Sequence, residues 1–439
     1  MTALRRYVAA LGLLLVPLVA RADQGWGQTY TLPNGLRVIL DPDKRFPTVT
    51  VFVRYHVGAR QEPVGRSGMA HLLEHLTFKV PRPASQGGTY ASQFTISSRN
   101  GSTYYENTDY YTTAPSGDLE YALWTERWRM GINLGFVAES DRQQELNVVK
   151  NERRERLEIQ PYRAGEHKLW SELFPADHPF HEEVIGSMAD MNAITLAEAK
   201  DFYSKHYGPA NATLAVVGDF DPEAAREIIA GYYATMTGTP APSARPVTPR
   251  SLDKEIVIRH DELYGRNPRL HIAWHAPAKY SPEHAAGEVA ARMLGGTDAS
   301  RLAMGVPEAS LVAAYQESLL AGSVFHVIVE PRAGVSPETL LKRVDFAIDV
   351  LRTHPPSIQQ VDVAVRRILR ERFLIMEDSL AKARFLVDVT TGAPNAGDPM
   401  AYERQRFAGV LPEDVQRFVT KHLVADRRVV LFYTPGGGQ

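Results

Sequence analysis

The 439-residue sequence contains no cysteine. Disulfide bonds, a cysteine nucleophile, a cysteine-based zinc site and a lipid anchor on an N-terminal cysteine are therefore excluded. An exported protein of this size that lacks disulfides must be held together by the burial of its core alone.

Nucleotide-binding patterns and an excess of one charge are also missing. The sequence has no Gly-x-Gly-x-x-Gly pattern and no phosphate-binding loop, which excludes the nucleotide-dependent classes. Lys and Arg number 49, and Asp and Glu number 51. Residues 1–22 hold three arginines and no acid, so the chain without them has a net charge of about −5. A negative net charge does not indicate a protein that binds nucleic acid.

Long apolar runs are absent except at the N-terminus. Two arginines precede an apolar stretch from Tyr7 to Ala20, and a small-x-small pattern then ends at Ala22. The pattern predicts a signal peptide over residues 1–22 that is cut after Ala22. A membrane anchor is the alternative, but the stretch is short and interrupted by Pro17. We therefore expect a periplasmic or secreted protein without stable membrane insertion.

The length predicts two or three domains, at about 100–200 residues per domain. Residues 237–251 (TGTPAPSARPVTPRS) lack hydrophobic periodicity and indicate a linker between domains at 23–236 and 252–439. Leu196–His206 also resembles Pro412–His422 at a constant offset of 216 residues, and each segment leads into an apolar strand. This shared order favours an internal duplication over chance similarity between amphipathic helices.

Hydrophobic spacing predicts both strands and helices. The predicted strands are Leu36–Leu40, Val49–Tyr55, Tyr110–Thr113, Asn211–Gly218 and Arg428–Tyr433, and the predicted helices are Ser67–Lys79, Leu119–Leu134 and Asp141–Gln160. Ser67 is expected to cap the first of these helices. Because strands and helices do not alternate strictly, we expect the α+β class. The expected architecture is two homologous domains, each a mixed, mostly antiparallel sheet packed by helices.

The segment His71-Leu-Leu-Glu74-His75 is the most informative motif. Residues i and i+4 of a helix share one face, so both imidazoles can reach one metal ion. Glu74 shares that face and can touch a water molecule at an open coordination position. This arrangement is typical of a class of zinc peptidases, in which zinc lowers the pKa of its water and a carboxylate moves the proton. A fortuitous pattern on a structural helix is the alternative.

A zinc ion of this kind needs a third protein ligand. The predicted helix Asp141–Gln160 carries Glu145 and Glu152, which are seven residues apart and hence on one face. The segment Glu145–Glu158 contains four acidic residues, counting both ends, so spacing alone leaves the choice of ligand open. A solvated acidic helix face is the alternative for both residues.

With these residues the chain resembles the M16 peptidase family. In that family a glutamate follows the motif at a similar distance as the third ligand, and another acidic residue precedes it by seven positions. Here 76 residues lie between His75 and Glu152, and Glu145 occupies the earlier position. The resemblance implies Zn²⁺ held by His71, His75 and Glu152, with Glu74 and Glu145 as catalytic residues.

The resemblance extends to a substrate-binding strand. Asn100-Gly101-Ser102-Thr103 is similar to the family's Asn-Ala-x-Thr edge strand, which pairs with an extended peptide backbone. It implies that Asn100 and Gly101 bind substrate. A simple turn at the Asn-Gly dipeptide is the alternative.

The second half departs from the family pattern at one point. Gly295, Gly296 and Ser300-Arg301-Leu302 match the family's loop and helix start, and Tyr315 occupies the expected strand. The family has an arginine seven residues before this tyrosine, and the pair grips the substrate. Here Glu308 stands at that position. Tyr315 is therefore either a substrate-binding residue or an ordinary strand residue.

These observations predict a zinc-dependent peptidase that cleaves unfolded peptides or oligopeptides with a zinc-bound water activated by Glu74. A single motif in two domains predicts the catalytic subunit of a dimer, whose partner is a homologous subunit without the zinc motif or a second copy. One alternative is a non-proteolytic structural subunit of the same fold, and another is a zinc hydrolase of non-peptide amides.

Overall fold

The structure is a computed structural model that describes residues 27–79, 98–131, 134–238, 240–243, 252–296 and 300–436. The predicted signal peptide, with its cleavage site after Ala22, lies outside the described residues, as does the linker segment 244–251. No helix among the residues described is long and apolar enough to cross a membrane.

The first sheet has six strands in the order β1-β2-β6-β3-β5-β4. The strands are β1 (Gln28–Thr31), β2 (Arg37–Pro42), β3 (Thr48–Tyr55), β4 (Ser98–Thr103), β5 (Thr108–Pro115) and β6 (Ala212–Gly218). All seven residues of β6 are buried, as an apolar strand between two neighbours requires. The sheet is mostly antiparallel, with β2 and β6 forming its parallel pair.

The second sheet has five strands in the order β7-β11-β8-β10-β9. The strands are β7 (Ile256–Glu262), β8 (Arg269–Ala276), β9 (Ala309–Glu317), β10 (Ser323–Pro331) and β11 (Val429–Pro435). Strands β7 and β11 are parallel and the other pairs are antiparallel. In chain order and pairing, β7 to β11 repeat the topology of β2 to β6. The expected class, two mixed and mostly antiparallel sheets packed by helices, is confirmed.

Helices pack against both sheets and carry the site residues. Those before the linker are α1 (Met69–Phe78), α2 (Leu119–Gly131), α3 (Glu139–Arg153), α4 (Arg163–Leu173), α5 (Met188–Ala193), α6 (Leu196–His206) and α7 (Pro222–Tyr233). Those after it are α8 (His284–Gly295), α9 (Arg301–Gly305), α10 (Pro337–Thr353), α11 (Ile358–Ile375), α12 (Ser379–Gly392), α13 (Pro399–Ala408) and α14 (Pro412–His422). The duplicated segments are α6 and α14, in the predicted positions.

Each sheet is also covered by a helix from the other half of the chain. Helix α12 packs against β3 and β6, where Phe385 and Leu386 join a buried cluster with Phe52 of β3. Helix α4 packs against β7, β8 and β11, where Trp170 joins a buried cluster with Leu431. This exchange joins the two halves through apolar burial on two separate faces.

The prediction that Ser67 caps helix α1 is wrong. The helix begins at Met69 after Gly68, and the Ser67 hydroxyl donates instead to Asp190 Oδ2 at 2.6 Å. Glu62 takes the capping role: its carboxylate accepts the N–H groups of Gly68 at 3.1 Å and Ala70 at 2.8 Å. A carboxylate from a preceding turn thus satisfies the free N–H groups at the helix start.

Helix α3 differs from the predicted Asp141–Gln160 at both ends. It begins at Glu139 because the Asp141 carboxylate accepts the N–H of Ala138 and so closes the first turn. It ends at Arg153, and the chain continues as a π-helical turn over Arg154–Glu158. The other predicted elements end within three residues of the predicted limits.

Candidate metal centre

Helix α1 brings His71, Glu74 and His75 to one face. Leu72 and Leu73 are completely buried in the core below the first sheet, which fixes the rotation of the helix. The helix packs against β4 on one side and α3 on the other. The face of α1 that bears the motif is therefore directed toward β4 and α3, which carry the other candidate residues.

His71, His75 and Glu152 form a compact group of possible metal ligands. One ligand atom from each residue lies within 4.8 Å of the others. Glu152 Oε2 lies 3.3 Å from His75 Nε2 and 3.8 Å from His71 Nε2. Two imidazole nitrogens and one carboxylate oxygen are a donor set typical of catalytic zinc sites. It is the one group of this kind found among the residues that the structure describes.

Glu152 is the last residue but one of α3, and the π-helical turn follows Arg153. Turns of this kind are often found at functional sites. The turn places Arg156 beside Glu152, with a distance of 2.8 Å between Nη2 and Oε1. Arg156 thus contacts the carboxylate oxygen that faces away from the histidines.

Glu145 contacts the opposite nitrogen of His75. Its Oε2 lies 3.2 Å from His75 Nδ1, and its Oε1 lies 2.8 Å from Lys79 Nζ. A carboxylate at this position fixes the ring orientation of a histidine and leaves Nε2 free to act as a ligand. Glu145 therefore sits behind His75 and does not face the same point as the three candidate ligands.

The electrostatic environment differs between the two histidines. Burial, and then the neighbouring His75, lower the pKa of His71 to about 4. Burial also lowers the pKa of His75, but the carboxylates of Glu152 and Glu145 outweigh it and raise this pKa above its ordinary value. Burial raises the pKa of Glu152, yet its hydrogen bond with His75 and the charges of His71 and Arg156 bring it below the ordinary value.

Glu74 is held between its own helix and strand β4. It is 8% exposed, and burial raises its pKa, an effect that a hydrogen bond from Thr103 partly offsets. The Thr103 hydroxyl donates to Glu74 Oε2 at 2.7 Å. Glu74 thus has the raised pKa that a proton-accepting group needs.

All these side chains open into one cleft of about 670 Å³. Its lining includes the candidate ligands, Glu74 and Glu145, and the strand residues from Asn100 to Tyr104. Among the described residues, strand β4 pairs with β5 alone and forms the edge of the first sheet. The structure thus brings Asn100 and Gly101 to the same cleft as His71, Glu74, His75 and Glu152.

Tyr315 does not line this cleft. It lies on β9, the edge of the second sheet, and its ring stacks on His326 with a centroid distance of 4.7 Å. Burial raises its pKa, with further contributions from Glu166 and Glu317. Glu308 precedes the same strand and accepts a hydrogen bond from Arg343 at 2.9 Å.

Four further residues support the site and were not predicted for it: Glu62, Lys79, Thr103 and Arg156. Arg156 stands four residues after Glu152, a spacing that indicates a helical ion pair. Thr103 stands two residues after Gly101 and hence on the same face of the strand. Neither Glu62 nor Lys79 has a distinctive local signal, because their partners are fixed by tertiary packing.

Comparisons with known proteins identify the family of the chain. Residues 37–158 match the family described as Insulinase (Peptidase family M16), and residues 193–353 match Peptidase M16 inactive domain. The zinc protease PqqE of Helicobacter pylori is 28% identical over 365 residues, which cover 78% of this chain and 80% of that protein. The mitochondrial-processing peptidase subunit beta of Saccharomyces cerevisiae is 28% identical over 264 residues, 57% of this chain and 55% of that protein.

The fold is also found among solved structures. The crystal structure of a protease from Helicobacter pylori superimposes with a TM-score of 0.82, covering 93% of this chain and 99% of that chain at 24% identity. The two family matches together span more than half of the sequence and contain the motif on α1 and Glu152 on α3. The chain therefore belongs to the M16 peptidase family.

Proposed function

We propose that this chain is a zinc-dependent peptidase that hydrolyses unfolded peptides or oligopeptides. One observation carries the proposal: a two-histidine, one-carboxylate group and a separate buried carboxylate, Glu74, share a cleft with the edge of β4, which has no pairing strand among the described residues. Ligands, a proton acceptor and a surface for an extended peptide are what hydrolysis of a peptide bond requires.

The residues present fit a zinc ion. Zinc is commonly held by nitrogen and carboxylate ligands, and His71, His75 and Glu152 would hold it here. Glu145 behind His75 supplies the outer carboxylate that such histidines usually have. A bound zinc ion supplies Lewis-acid chemistry, by which it polarises a carbonyl group and lowers the pKa of water.

The protein's own groups handle the proton and the peptide. Glu74 accepts the proton of the attacking water and returns a proton to the leaving nitrogen. The exposed edge of β4 pairs with the substrate backbone, and Asn100 and Gly101 lie where that backbone would pass. Main-chain pairing of this kind accepts many sequences but requires an extended chain, so folded proteins are excluded as substrates.

The arrangement favours this proposal over its two rivals. A structural metal site in a non-proteolytic subunit does not require a carboxylate such as Glu74, which contacts strand β4 rather than the candidate ligands. A hydrolase of small non-peptide amides has no use for an open strand edge along the cleft.

We further propose that the active enzyme is a dimer. Glu308 stands where the family has an arginine, and Tyr315 lies outside the cleft, so the family's arginine and tyrosine donors for the developing oxyanion are not found in the cleft among the described residues. A homologous subunit without the zinc motif would supply them, with a homodimer as the alternative. We also propose domains at 23–236 and 252–439, one for each sheet, and export through residues 1–22.

The test is hydrolysis of a fluorogenic peptide by the mature protein, alone and together with a homologous subunit from the same genome. Wild type, Glu74→Gln and the exposed control Glu155→Gln are compared at equal zinc content. We expect Glu74→Gln to keep its zinc and lose turnover, while Glu155→Gln behaves as wild type. Wild-type turnover by Glu74→Gln would contradict the proposal. Full activity of the chain alone would contradict the proposed need for a second type of subunit.

A further inference from the structure

Two residues of strand β4 enclose the Glu74 carboxylate. The Thr103 hydroxyl donates to Glu74 Oε2 at 2.7 Å. At Gly101 a Cβ atom would lie 2.9 Å from Glu74 Oε1 and 3.0 Å from its Cγ. Residues two apart in a strand share a face, so Gly101 and Thr103 approach the same side chain together.

The absence of a side chain at Gly101 allows strand β4 to approach Glu74 closely. Gly101 is not among the glycines with a positive φ angle, so its backbone is open to other residues. Any side chain would, however, come closer to the Glu74 carboxylate than nonbonded atoms ordinarily approach. The strand therefore lies in close contact with the Glu74 side chain at Gly101, and a larger residue there would require that side chain to shift.

The close contact with Gly101 restricts the Glu74 side chain, and the hydrogen bond from Thr103 sets the orientation of its carboxylate. The terminal torsion of a glutamate is broad, so a carboxylate without a partner samples many orientations. Here Thr103 holds Oε2, while Oε1 lies on the side of Gly101. The backbone of Glu74 is tied as well, because its carbonyl accepts the Thr77 hydroxyl at 2.8 Å.

We propose that Thr103 is a positioning residue for the general base Glu74. The inference rests on the proposed function, since it assigns Thr103 a role in the same reaction. Thr103 belongs to the strand whose outer edge would pair with the peptide, so one strand aligns both the substrate and the proton acceptor. The hydroxyl acts by keeping Glu74 in the orientation from which a proton is transferred.

The chain offers a matched control in the neighbouring strand. Thr108 is the register partner of Thr103, and its hydroxyl donates to the carbonyl of Val57 at 2.9 Å. It contacts Tyr207 and not Glu74. Replacement of Thr108 by valine removes a buried hydroxyl from the same sheet, so it reports any general effect of such a loss.

The kinetic test compares Thr103→Val, Thr103→Ser and Thr108→Val with wild type. We expect Thr103→Val to lower kcat by roughly 10- to 100-fold, as the loss of an outer-shell partner does, with KM and zinc content unchanged. Thr103→Ser keeps the hydroxyl and should recover most of kcat, and Thr108→Val should leave kcat near wild type once folded. An unchanged kcat in Thr103→Val, or a rise in KM alone, would overturn the proposal.

A structural test does not depend on activity. Crystal structures of wild type and Thr103→Val should show Glu74 in one orientation in the former and in several orientations, or a different one, in the latter. The same single orientation in both would overturn the positioning role. Absence of peptide hydrolysis by wild type would instead refute the proposed function, and the crystallographic comparison would still decide the role of Thr103.

Discussion

The two sheets share one topology, but the polar side chains of the helices packed on them differ in their contacts. Those near the first sheet form a group of candidate metal ligands, and those near the second sheet form ion pairs and hydrogen bonds. Helix α1 lies beside β4 and α3, as α8 lies beside β9 and α11. On α1 the two histidines converge with Glu152 at the surface of a cleft. On α8, His284 contacts the Ser318 hydroxyl at 2.8 Å and Arg406 at 2.9 Å.

The second helix pair is crossed by ion pairs. Glu288 of α8 pairs with Arg372 of α11 at 2.9 Å, and beside this pair Glu403 and Arg406 form a second ion pair within α13 at 2.9 Å. Charges paired in this way are already compensated and have little affinity for a ligand. The candidate ligands near α1 converge on one point instead.

The largest expected effect concerns the candidate ligands. In Glu152→Ala the zinc content should fall from about one ion per chain to near zero, and hydrolysis should fall below detection, because two histidines alone do not make a stable zinc site. Elemental analysis of the purified protein measures the first effect and the peptide assay the second. A full complement of zinc in Glu152→Ala would show that another residue is the third ligand.

The second expected effect concerns the ion pairs near α8. Glu403→Ala should lower the free energy of unfolding by about 1–3 kcal/mol, because the buried guanidinium of Arg406 loses two hydrogen bonds to this carboxylate and keeps Glu288 as an ion-pair partner at 3.6 Å. Zinc content should stay unchanged. Denaturant unfolding gives the comparison with Asp362→Asn, which removes an exposed partner of Arg366 and should have little effect. If Glu403→Ala and Asp362→Asn were equally stable, the buried ion pairs near α8 would not contribute the stability expected of them.

A smaller effect is expected behind His75. Glu145→Gln should weaken zinc binding by roughly 10- to 100-fold, because the ring of His75 loses the carboxylate that orients it. Competition with a chelator measures the affinity, and Glu155→Gln serves as the exposed control on the adjoining turn. If affinity is unchanged while kcat falls, Glu145 acts on the substrate and not through His75.

The smallest effect is a pH dependence in the second sheet. Burial lowers the pKa of His271 and of His326 to about 3. The unfolded chain, in which histidine titrates near 6.5, then binds more protons than the folded chain as pH falls below that value. Each of these two histidines should therefore lower the free energy of unfolding by at most about 1.4 kcal/mol for every pH unit below 6.5.

A variant without one of these histidines checks the sign of this pH dependence. His326→Phe should be less stable than wild type at neutral pH, because the contact of 2.9 Å with His271 is lost. The difference in unfolding free energy should narrow as pH falls from 6.5 toward 4. A difference that stays constant or widens over this range would contradict the assigned pKa direction.

Much of the fold could be predicted because its signals are local. The helix α1 and the strands β2, β3 and β6 follow from apolar spacing, and the duplication is visible in α6 and α14. The motif on α1 needs only helical geometry to bring His71, Glu74 and His75 to one face. The position of β4 at a sheet edge came from the family resemblance, since the segment itself has little hydrophobic pattern.

Other features depend on residues far apart in the chain. Ser67 has the side chain of a helix cap, but its hydroxyl bonds to Asp190 and the cap comes from Glu62. Tyr315 lies in the predicted strand, yet its ring stacks on His326 away from the cleft. Neither result follows from spacing along the chain, because the competing partner is chosen only when the elements pack.

The sequence by itself determined which helix could bear a metal site, since an i, i+4 pair of histidines has one geometry on any helix. The family resemblance already singled out Glu152 among the acids of its helical stretch, but only the tertiary structure brought it next to both histidines and set Glu145 behind one of them. It also decided that Thr103 contacts Glu74 and that α8 carries ion pairs in place of ligands. Such contacts join separate elements, and packing of the core fixes their distances to fractions of an ångström.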